Sequence, residues 1–373
     1  MERYDVVVVG VGGMGSAALY HLARRRKRVL GLERFDVPNE LGSSHGLTRI
    51  IRIAHFEHPS YVPLVRRAYA LWRELEAETG EQLLHVTGAV DAGGEVFEGS
   101  LRSCHAFDLA HEVLDGRELG LRYPGYRLPD DLPIVLQPDG GFLAPERCVL
   151  AHAHAAVAHG AELRTGERVL GWEETSDGIR VRTERGTVEA ERLVLTAGAW
   201  SQDIARLPPG VVGARRQSMV WFAPHRPELF TPERFPVFNA VLDEEHVYGF
   251  PIFGPPGFKI GRYDHAAPLV ADPDHVSREI EPGDEGALRP LVERHFPDGA
   301  GPALDIRICP FDPSPDEDFI VDLHAESERA VVAAGFSGRG FKFCSVVGEV
   351  LADLALAGET RHDIERLRLS RFA

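Results

Sequence analysis

The first 36 residues contain the pattern that most restricts the fold of this chain. Residues 6–9 are all valine, as expected of a strand buried on both faces of a sheet. A glycine-rich turn follows, then apolar residues at helical spacing, and residues 28–33 predict a second strand that ends in Glu33. A strand, a G-x-G-x-x-G turn, a helix, a strand and an acid in this order are typical of a doubly wound parallel sheet that binds a dinucleotide.

Each residue of this pattern has a physical reason. Gly10 permits the tight turn, Gly12 lets the backbone approach a pyrophosphate, and Gly15 lets the helix pack closely on the strand. The helix N-terminus favours the phosphate charge, and Glu33 can accept hydrogen bonds from a ribose diol. The pattern does not distinguish FAD from NAD.

Composition excludes several classes of partner. The net charge of −16 argues against nucleic acid or an anionic membrane. The N-terminus lacks a basic lead and a long apolar run, and no stretch of about 18 apolar residues occurs, so we expect neither a signal peptide nor a membrane span. The four cysteines have no metal-binding spacing, so we expect no metal. A cytoplasmic protein is predicted.

The length of 373 residues predicts two domains. Residues 1–85, 145–215 and 309–373 contain the strand and helix patterns of the dinucleotide-binding unit, so we predict that they form one doubly wound domain. Residues 86–144 and 216–308 are richer in proline and aromatic residues. We predict that they form a second, more sheet-like domain inserted twice into the first.

Lysine is rare in this chain, and its positions indicate function. Only Lys27, Lys259 and Lys342 occur, beside 38 arginines. Where a positive charge is enough, the sequence uses arginine, so Lys259 and Lys342 are candidates for roles that a guanidinium cannot fill. The alternative for Lys259 is an ordinary surface lysine, and Lys27 shows that one such lysine does occur on a plain helix end.

Short segments spread over nearly the whole chain resemble those of one enzyme family. They include "GVGGMG", "GSSHGLTRIIR", "YVPLVRRAYALW", "TAGAW", "YGFPIFG", "FKIG", "RICPF", "DFIVDLH" and "GFSGRGFKF". The chain resembles the monomeric sarcosine oxidase and N-methyltryptophan oxidase family of FAD-dependent amine oxidases, within the D-amino-acid oxidase-like superfamily. The resemblance implies an α/β fold of α+β two-domain type: a glutathione-reductase-like, Rossmann FAD-binding domain with an inserted mixed-sheet substrate domain.

The resemblance also implies how FAD is held. The family attaches FAD covalently through a cysteine, which corresponds to Cys309, although by itself a single cysteine is more often a buried apolar residue. Thr48 and Arg49 would lie against the flavin ring. Ser43, Ser44 and His45 would form a loop near it, although a turn or capping role fits the serines equally well. The other positions that the resemblance gives to cofactor binding are Gly10, Gly12, Gly13, Met14, Gly15, Glu33, Arg34, Val169, Gly198, Trp200, Gly338, Gly340, Phe341 and Lys342.

For the substrate, the resemblance implies a carboxylate bound by Arg52 and Lys342. Lys259 would accelerate the reaction with oxygen, and it is predicted to be catalytic together with Arg49 and Tyr248; Tyr248 would also line the substrate site. Two positions depart from the family. Phe311 stands where close sarcosine oxidases have tyrosine, and Tyr263 and His265 are alternative candidates where those enzymes have histidine.

The predicted function is oxidation of a secondary amino acid, most simply sarcosine, by oxygen to give amino acid, formaldehyde and hydrogen peroxide. We expect a monomer. The alternatives are a flavin amine dehydrogenase with another acceptor, or an oxidase of a bulkier or cyclic secondary amino acid such as N-methyltryptophan or pipecolate. A nicotinamide-dependent dehydrogenase and a non-catalytic flavin-binding protein also share the N-terminal pattern.

Overall fold

The glycine-rich start of the chain folds as its sequence predicts in the computed structural model, which describes residues 2–263 and 267–372. β1 (Arg3–Val9) leads through the turn into α1 (Gly13–Arg24), which returns to β2 (Val29–Leu32). β1 and β2 pair in parallel. Successive valines of β1 enter the apolar cores on opposite faces of the sheet, so the unbroken valine run does reflect burial on both sides.

The remaining strands and helices all lie within the same described residues. The other strands are β3 (Arg49–Ile51), β4 (Leu84–Val86), β5 (Ala89–Ala92), β6 (Glu112–Leu114), β7 (Ile134–Gln137), β8 (Gly141–Leu143), β9 (Glu162–Arg164), β10 (Val169–Thr175), β11 (Gly178–Thr183), β12 (Gly186–Leu195), β13 (Ala214–Phe222), β14 (Val237–Leu242), β15 (Glu245–Phe250), β16 (Phe258–Arg262), β17 (Leu269–Val270), β18 (Ala303–Phe311), β19 (Ile320–His324) and β20 (Ser327–Ala334). The other α-helices are α2 (Val62–Thr79), α3 (Gly94–Phe107), α4 (Gly116–Arg122), α5 (Pro145–Ala158), α6 (Ser201–Ile204), α7 (Pro282–Gly286), α8 (Arg289–His295) and α9 (Cys344–Ala357).

The first sheet has β1 near its centre. Its order is β10–β11–β12–β1–β2–β9, and β20 pairs with the end of β12 and with β19. The pairs β12–β1, β1–β2, β2–β9 and β12–β20 are parallel. α1 packs against α5 and α9 over one face. The carboxyl ends of β1, β12 and β20 therefore lie side by side, where such sheets bind ligands.

The second sheet is larger and mixed. Its order is β17–β13–β16–β15–β14–β5–β7–β6, with β18 also paired to β13. Most pairs are antiparallel, whereas β14 and β5 run in parallel. One Rossmann-type sheet and one mixed sheet confirm the predicted α/β fold class.

Two strands extend across the predicted domain limits. β13 begins before residue 216, and β18 continues past residue 308, yet both pair within the second sheet. Arg215, Cys309 and Phe311 thus lie on second-sheet strands, although the predicted limits put them in the first domain. The division of the chain into domains stays a prediction.

A third, small antiparallel sheet positions Arg49 and Arg52. β3 pairs with β8, which pairs with β4. Arg49 begins β3 and lies opposite Leu143, and Arg52 follows directly after the strand. This pairing fixes the spacing of the two arginines.

The described residues contain neither a helix suited to span a membrane nor a group of side chains suited to hold a metal ion. None of their helices has both the length and the apolarity needed to cross a membrane. They also contain no cluster of histidine, cysteine and acidic residues arranged to hold a metal ion.

Candidate active site

A first cavity of about 300 Å³ lies at the carboxyl ends of the parallel strands. It extends from the glycine-rich turn to the junction with the second sheet. Most of the residues that the resemblance gives to cofactor binding line it: Gly10, Gly12, Gly13, Met14, Glu33, Arg34, Ser43, Ser44, Arg49, Val169, Gly198, Trp200, Gly338, Gly340 and Phe341. We refer to it as the dinucleotide cavity.

The glycine-rich turn has the geometry that a pyrophosphate requires. Gly10 has a φ of +86°, and a Cβ there would lie 2.5 Å from the Thr196 carbonyl oxygen. A Cβ on Gly15 would lie 1.8 Å from the Gly10 carbonyl oxygen, so α1 could not pack against the turn. At Gly12 the nearest atom is Ser44 Oγ, 3.9 Å away, so the backbone faces open space. These residues fit a bound dinucleotide.

Glu33 is held at the end of β2 with its carboxylate on the cavity wall. Its Oε2 accepts a hydrogen bond from the Val11 amide at 2.7 Å, and its Oε1 accepts one from Phe35 at 3.0 Å. Burial raises the pKa of Glu33 above its ordinary value, although these backbone donors act against the shift. The carboxyl group is thereby held where it can accept hydrogen bonds from the hydroxyls of a ribose.

An ionic cluster that the sequence did not reveal borders the same end of the cavity. Arg34 donates to both carboxylate oxygens of Asp274 at 2.8 Å, and Trp200 Nε1 donates to Asp274 Oδ1 at 2.9 Å. Asp274 lies in the segment between β17 and α7, far from Arg34 in sequence. No feature of the sequence around Asp274 distinguishes it from other exposed acids.

A second cavity, of about 40 Å³, adjoins the opposite end of the first. Arg49, Phe311, Gly338 and Phe341 line both. The rest of its wall consists of Ile50, Arg52, Phe56, Glu57, Tyr248, Phe250, Tyr263, Arg339 and Lys342. All the predicted substrate residues therefore meet here except His265, which lies outside the described residues. We refer to this space as the substrate cavity.

Arg52 is buried, and its orientation is fixed from behind. Its Nε donates to Asp91 Oδ2 at 2.8 Å, whereas its Nη2 has no hydrogen-bond partner among the described residues. Burial alone would lower the pKa of Arg52, but the carboxylates of Asp91 and Glu57 outweigh it and raise the pKa. The guanidinium is charged and keeps a donor for a ligand.

Lys342 approaches the same cavity from the turn before α9. Its Nζ donates to the Arg339 carbonyl oxygen at 2.8 Å, and the side chain is 4% exposed. Burial, together with the positive charge of Arg52, lowers the pKa of Lys342 to about 7. A carboxylate placed between Arg52 and Lys342 would offset the repulsion between their positive charges.

Glu57 is the acid on the cavity wall, and the sequence did not reveal it. Its Oε1 lies 3.1 Å from Arg339 Nη1, and its Oε2 lies 3.0 Å from His55 Nε2. Burial by itself raises the pKa of Glu57, but the hydrogen bond from His55 and the positive charge of Arg339 outweigh it and hold the pKa well below its usual range. Glu57 is therefore a buried anion beside a cationic site.

Lys259 projects from β16 into the protein interior, so it is not a surface lysine. It is 1% exposed, and its Nζ donates to the carbonyl oxygens of Gly46 and Thr48 at 2.8 Å each. The Nζ also lies 4.0 Å from the centre of the Phe250 ring. Burial, followed by the charge of Arg49, lowers the pKa of Lys259 well below its ordinary value.

Cys309 lies behind the junction of the two cavities and lines neither. Arg49 Nη2 donates to its sulfur at 3.5 Å, and the thiol donates to the Ser43 carbonyl oxygen at 3.6 Å. Burial raises the pKa of the Cys309 thiol, although Arg49 and Arg278 act in the opposite direction. His45 and Thr48 are also buried and line neither cavity.

Comparison with known proteins gives one family and close relatives of full length. The model of the family described as FAD dependent oxidoreductase matches residues 5–354. The chain is 40% identical to a monomeric sarcosine oxidase of Streptomyces avermitilis over 369 residues, 97% of this chain and 96% of the relative. It is 35% identical to an N-methyl-L-tryptophan oxidase of Yersinia pestis over 378 residues, 99% of each chain.

The architecture is also similar to that of solved structures. The open form of NikD, described as an unusual amino acid oxidase essential for nikkomycin biosynthesis, superposes with a TM-score of 0.86. The match has 28% sequence identity and covers 99% of this chain and 98% of that one. The similarity therefore extends over both sheets and both cavities.

Proposed function

The chain belongs to the FAD dependent oxidoreductase family, and from this premise we propose that it oxidises a small secondary amino acid, sarcosine, with oxygen as the electron acceptor. Bound FAD would supply the two-electron chemistry. The dinucleotide cavity would hold it through the glycine-rich turn and Glu33, with its reactive ring at the junction of the two cavities. The family and its fold support FAD as the cofactor.

The observation that carries the proposal is the pair of cations in the substrate cavity. Arg52 keeps an unpartnered N–H group there, and Lys342 approaches from a different element. A planar guanidinium and a compact ammonium from two directions suit the carboxylate of an amino acid. Binding the carboxylate there would hold the N-methyl group toward the junction, where misplacement by about 1 Å can cost roughly 100-fold in rate.

The size of the cavity supports a small substrate. The substrate cavity has a volume of only about 40 Å³, and aromatic rings of Tyr248, Tyr263 and Phe311 form much of its wall. An indole or a six-membered ring would have to displace them. This favours sarcosine over N-methyltryptophan or pipecolate, and Phe311 would pack against the methyl group where a tyrosine would offer a hydroxyl.

Lys259 supports oxygen as the acceptor. An ammonium held beside the junction would stabilise the negative charge that develops as oxygen is reduced. Lys259 itself lines neither cavity, but its bonds to the carbonyl groups of Gly46 and Thr48 hold the side chain next to Arg49, which lines both. A dehydrogenase that avoids oxygen would gain nothing from a lysine buried here.

Covalent attachment of FAD through Cys309 is a further part of the proposal. The thiol lies beside Arg49, whose charge favours the thiolate that attachment requires. Because Cys309 lies behind the cavity wall, the flavin ring would have to lie directly against this wall for the thiol to reach it. A monomeric enzyme in the cytoplasm completes the proposal; the name of the Streptomyces relative states that protein to be monomeric.

Anaerobic mixing of the purified protein with sarcosine tests the proposal. We expect the flavin band at about 450 nm to bleach and to recover when air is admitted. N-methyltryptophan and pipecolate at equal concentration are the matched comparisons and should reduce the flavin far more slowly. Protein without this band would contradict the flavin assignment, and bleaching by the bulkier amines alone would contradict the substrate class.

A further inference from the structure

The substrate cavity contains a feature that its proposed ligand does not explain. Four cationic side chains line it, and Glu57 is the one acid among its described lining residues. A buried carboxylate here is an internal competitor for the cations that should bind the substrate. Its charge acts at both Arg52 and Lys342, because Glu57 helps to raise the pKa of Arg52 and opposes part of the lowering of the Lys342 pKa.

Arg339 holds Glu57. Its Nη1 lies 3.1 Å from Glu57 Oε1, and both side chains are almost wholly enclosed. The other neighbour of Glu57 is His55, and burial lowers the pKa of His55 to about 3, so that imidazole is neutral. Arg339 is therefore the cation directly paired with Glu57.

The far side of the same guanidinium is also anchored. Arg339 Nη2 donates to the Glu317 carbonyl oxygen at 2.6 Å and lies 3.5 Å from the Glu317 carboxylate. The side chain thus connects the loop after β3 to the loop between β18 and β19. An arginine fixed at both ends can hold Glu57 in one position, which a shorter or more flexible side chain could not do.

We propose that Arg339 is a positioning residue that keeps the Glu57 carboxylate away from Arg52 and Lys342 and so leaves these two cations for the carboxylate of the substrate. The inference rests on the proposed function, because it assumes a ligand carboxylate in this cavity. Without Arg339, Glu57 would turn toward the two cations and compete with the ligand. Substrate affinity then depends on a residue that does not itself bind the carboxylate.

Binding of methoxyacetate to the FAD-loaded protein tests the inference without turnover. Methoxyacetate has the shape and carboxylate of sarcosine but no amine to oxidise, and its Kd is read from the shift of the flavin absorbance. We expect Arg339→Gln to raise the Kd about 10- to 100-fold, as for removal of one partner of a buried charged pair. Glu57→Gln should leave the Kd equal or lower.

The double variant separates positioning from direct contact. If Arg339 acts by holding Glu57, E57Q/R339Q should bind methoxyacetate within about threefold of E57Q, because the competitor has been neutralised. If Arg339→Gln raises the Kd of methoxyacetate as much in E57Q as in the wild-type protein, Arg339 binds the carboxylate itself. That result would overturn the inference. An unchanged Kd in Arg339→Gln would also overturn it.

Two controls keep the outcome interpretable. Arg339→Lys retains the charge and should lose less affinity than Arg339→Gln. Flavin content and Tm show whether Arg339→Gln folds. If it does not, the Kd of methoxyacetate is compared between Arg339→Lys and E57Q/R339K: a loss of affinity that disappears in the double variant supports positioning, and one that persists contradicts it. Failure of the proposed function is seen separately, as wild-type flavin that sarcosine does not reduce. Wild-type protein that binds no methoxyacetate would remove the carboxylate site and the inference with it.

Discussion

Arg52 and Asp91 form a buried ion pair in which Arg52 Nε donates to Asp91 Oδ2 at 2.8 Å. Ser100 Oγ and Gln137 Nε2 donate to the same oxygen, at 2.5 and 2.8 Å. Asp91 lies on β5 of the second sheet, whereas Arg52 follows the small sheet. The pair therefore fixes the guanidinium across two sheets and turns its free N–H group to the cavity.

Replacing Asp91 by asparagine should damage both stability and binding. An arginine left buried without its counter-charge costs about 3–5 kcal/mol, so urea unfolding should show a loss of this order. The Kd of methoxyacetate should rise because the Arg52 guanidinium is no longer held in its orientation toward the substrate cavity. Ser100→Ala, which removes one hydrogen bond to the same oxygen, should cost only roughly 1–2 kcal/mol. Equal effects of the two variants would contradict a special role for the Arg52–Asp91 pair.

Carboxylate binding should weaken as the pH rises through the pKa of Lys342. Burial and Arg52 lower this pKa to about 7 in the free protein. Below it the ammonium attracts a carboxylate, and above it the neutral amine does not. The Kd of methoxyacetate, which has no amine of its own to titrate, should rise by up to roughly tenfold per pH unit above this point. Lys342→Met should bind more weakly than wild-type protein below this pKa, approach the wild-type Kd above it, and show a flat profile. A pH-dependent change in Kd that persists in this variant would have to come from another group.

Lys259→Met should separate the two half-reactions. Anaerobic reduction by sarcosine should keep its rate, since Lys259 does not line the substrate cavity. Reoxidation by air should slow about 100- to 1,000-fold, as for removal of one preorganised electrostatic group. Stopped-flow absorbance measures both rates. Lys27→Met, in the partly exposed turn between α1 and β2, is the matched control and should change neither. An unchanged reoxidation rate in Lys259→Met would remove Lys259 as an argument for oxygen as the electron acceptor.

Local pattern was enough to predict the dinucleotide cavity. The strand, glycine turn, helix and acid are contiguous, so Gly10, Gly12 and Glu33 could be placed without knowledge of the rest of the fold. The rarity of lysine also distinguished Lys259 and Lys342 from surface cations. Both are buried, although their roles stay predictions.

The acidic partners of Arg52 and Arg339 could not be predicted, because they come from distant parts of a chain with 57 acidic residues. Asp91 lies 39 positions from Arg52, and Glu57 pairs with Arg339 across most of the sequence. Asp91 did carry a signal, an acid between apolar residues in "GAVDAGG". Glu57 and Asp274 carried none, since each lies in a polar loop. The domain limits stay a prediction; β13 and β18 each extend across one of them, because composition does not mark where a strand begins or ends.

Cys309→Ala should release the flavin. In wild-type protein precipitated with acid, the yellow colour should remain in the pellet, because a thioether survives denaturation. In Cys309→Ala it should move to the supernatant. Cys344→Ala is a close control, because Cys344 is buried and lines the dinucleotide cavity, and its colour should stay in the pellet. Soluble colour from the wild-type protein would disprove attachment.

Gly338→Ala should distort the junction of the two cavities. Gly338 has a φ of +74°, and a Cβ there would lie 2.2 Å from a ring carbon of Phe311, which lines both cavities. Gly358 has a φ of +76° with no atom within 4 Å of its Cβ position, so Gly358→Ala measures the backbone strain alone, about 1 kcal/mol. Gly338→Ala should cost a further 1–3 kcal/mol, roughly, for overpacking, and should raise the Kd of methoxyacetate because the Phe311 ring is displaced. Denaturant unfolding and the flavin titration give the two quantities. Equal losses of unfolding free energy in the two variants would mean that the Phe311 ring moves aside at little cost and that the junction deforms more easily than its packing indicates.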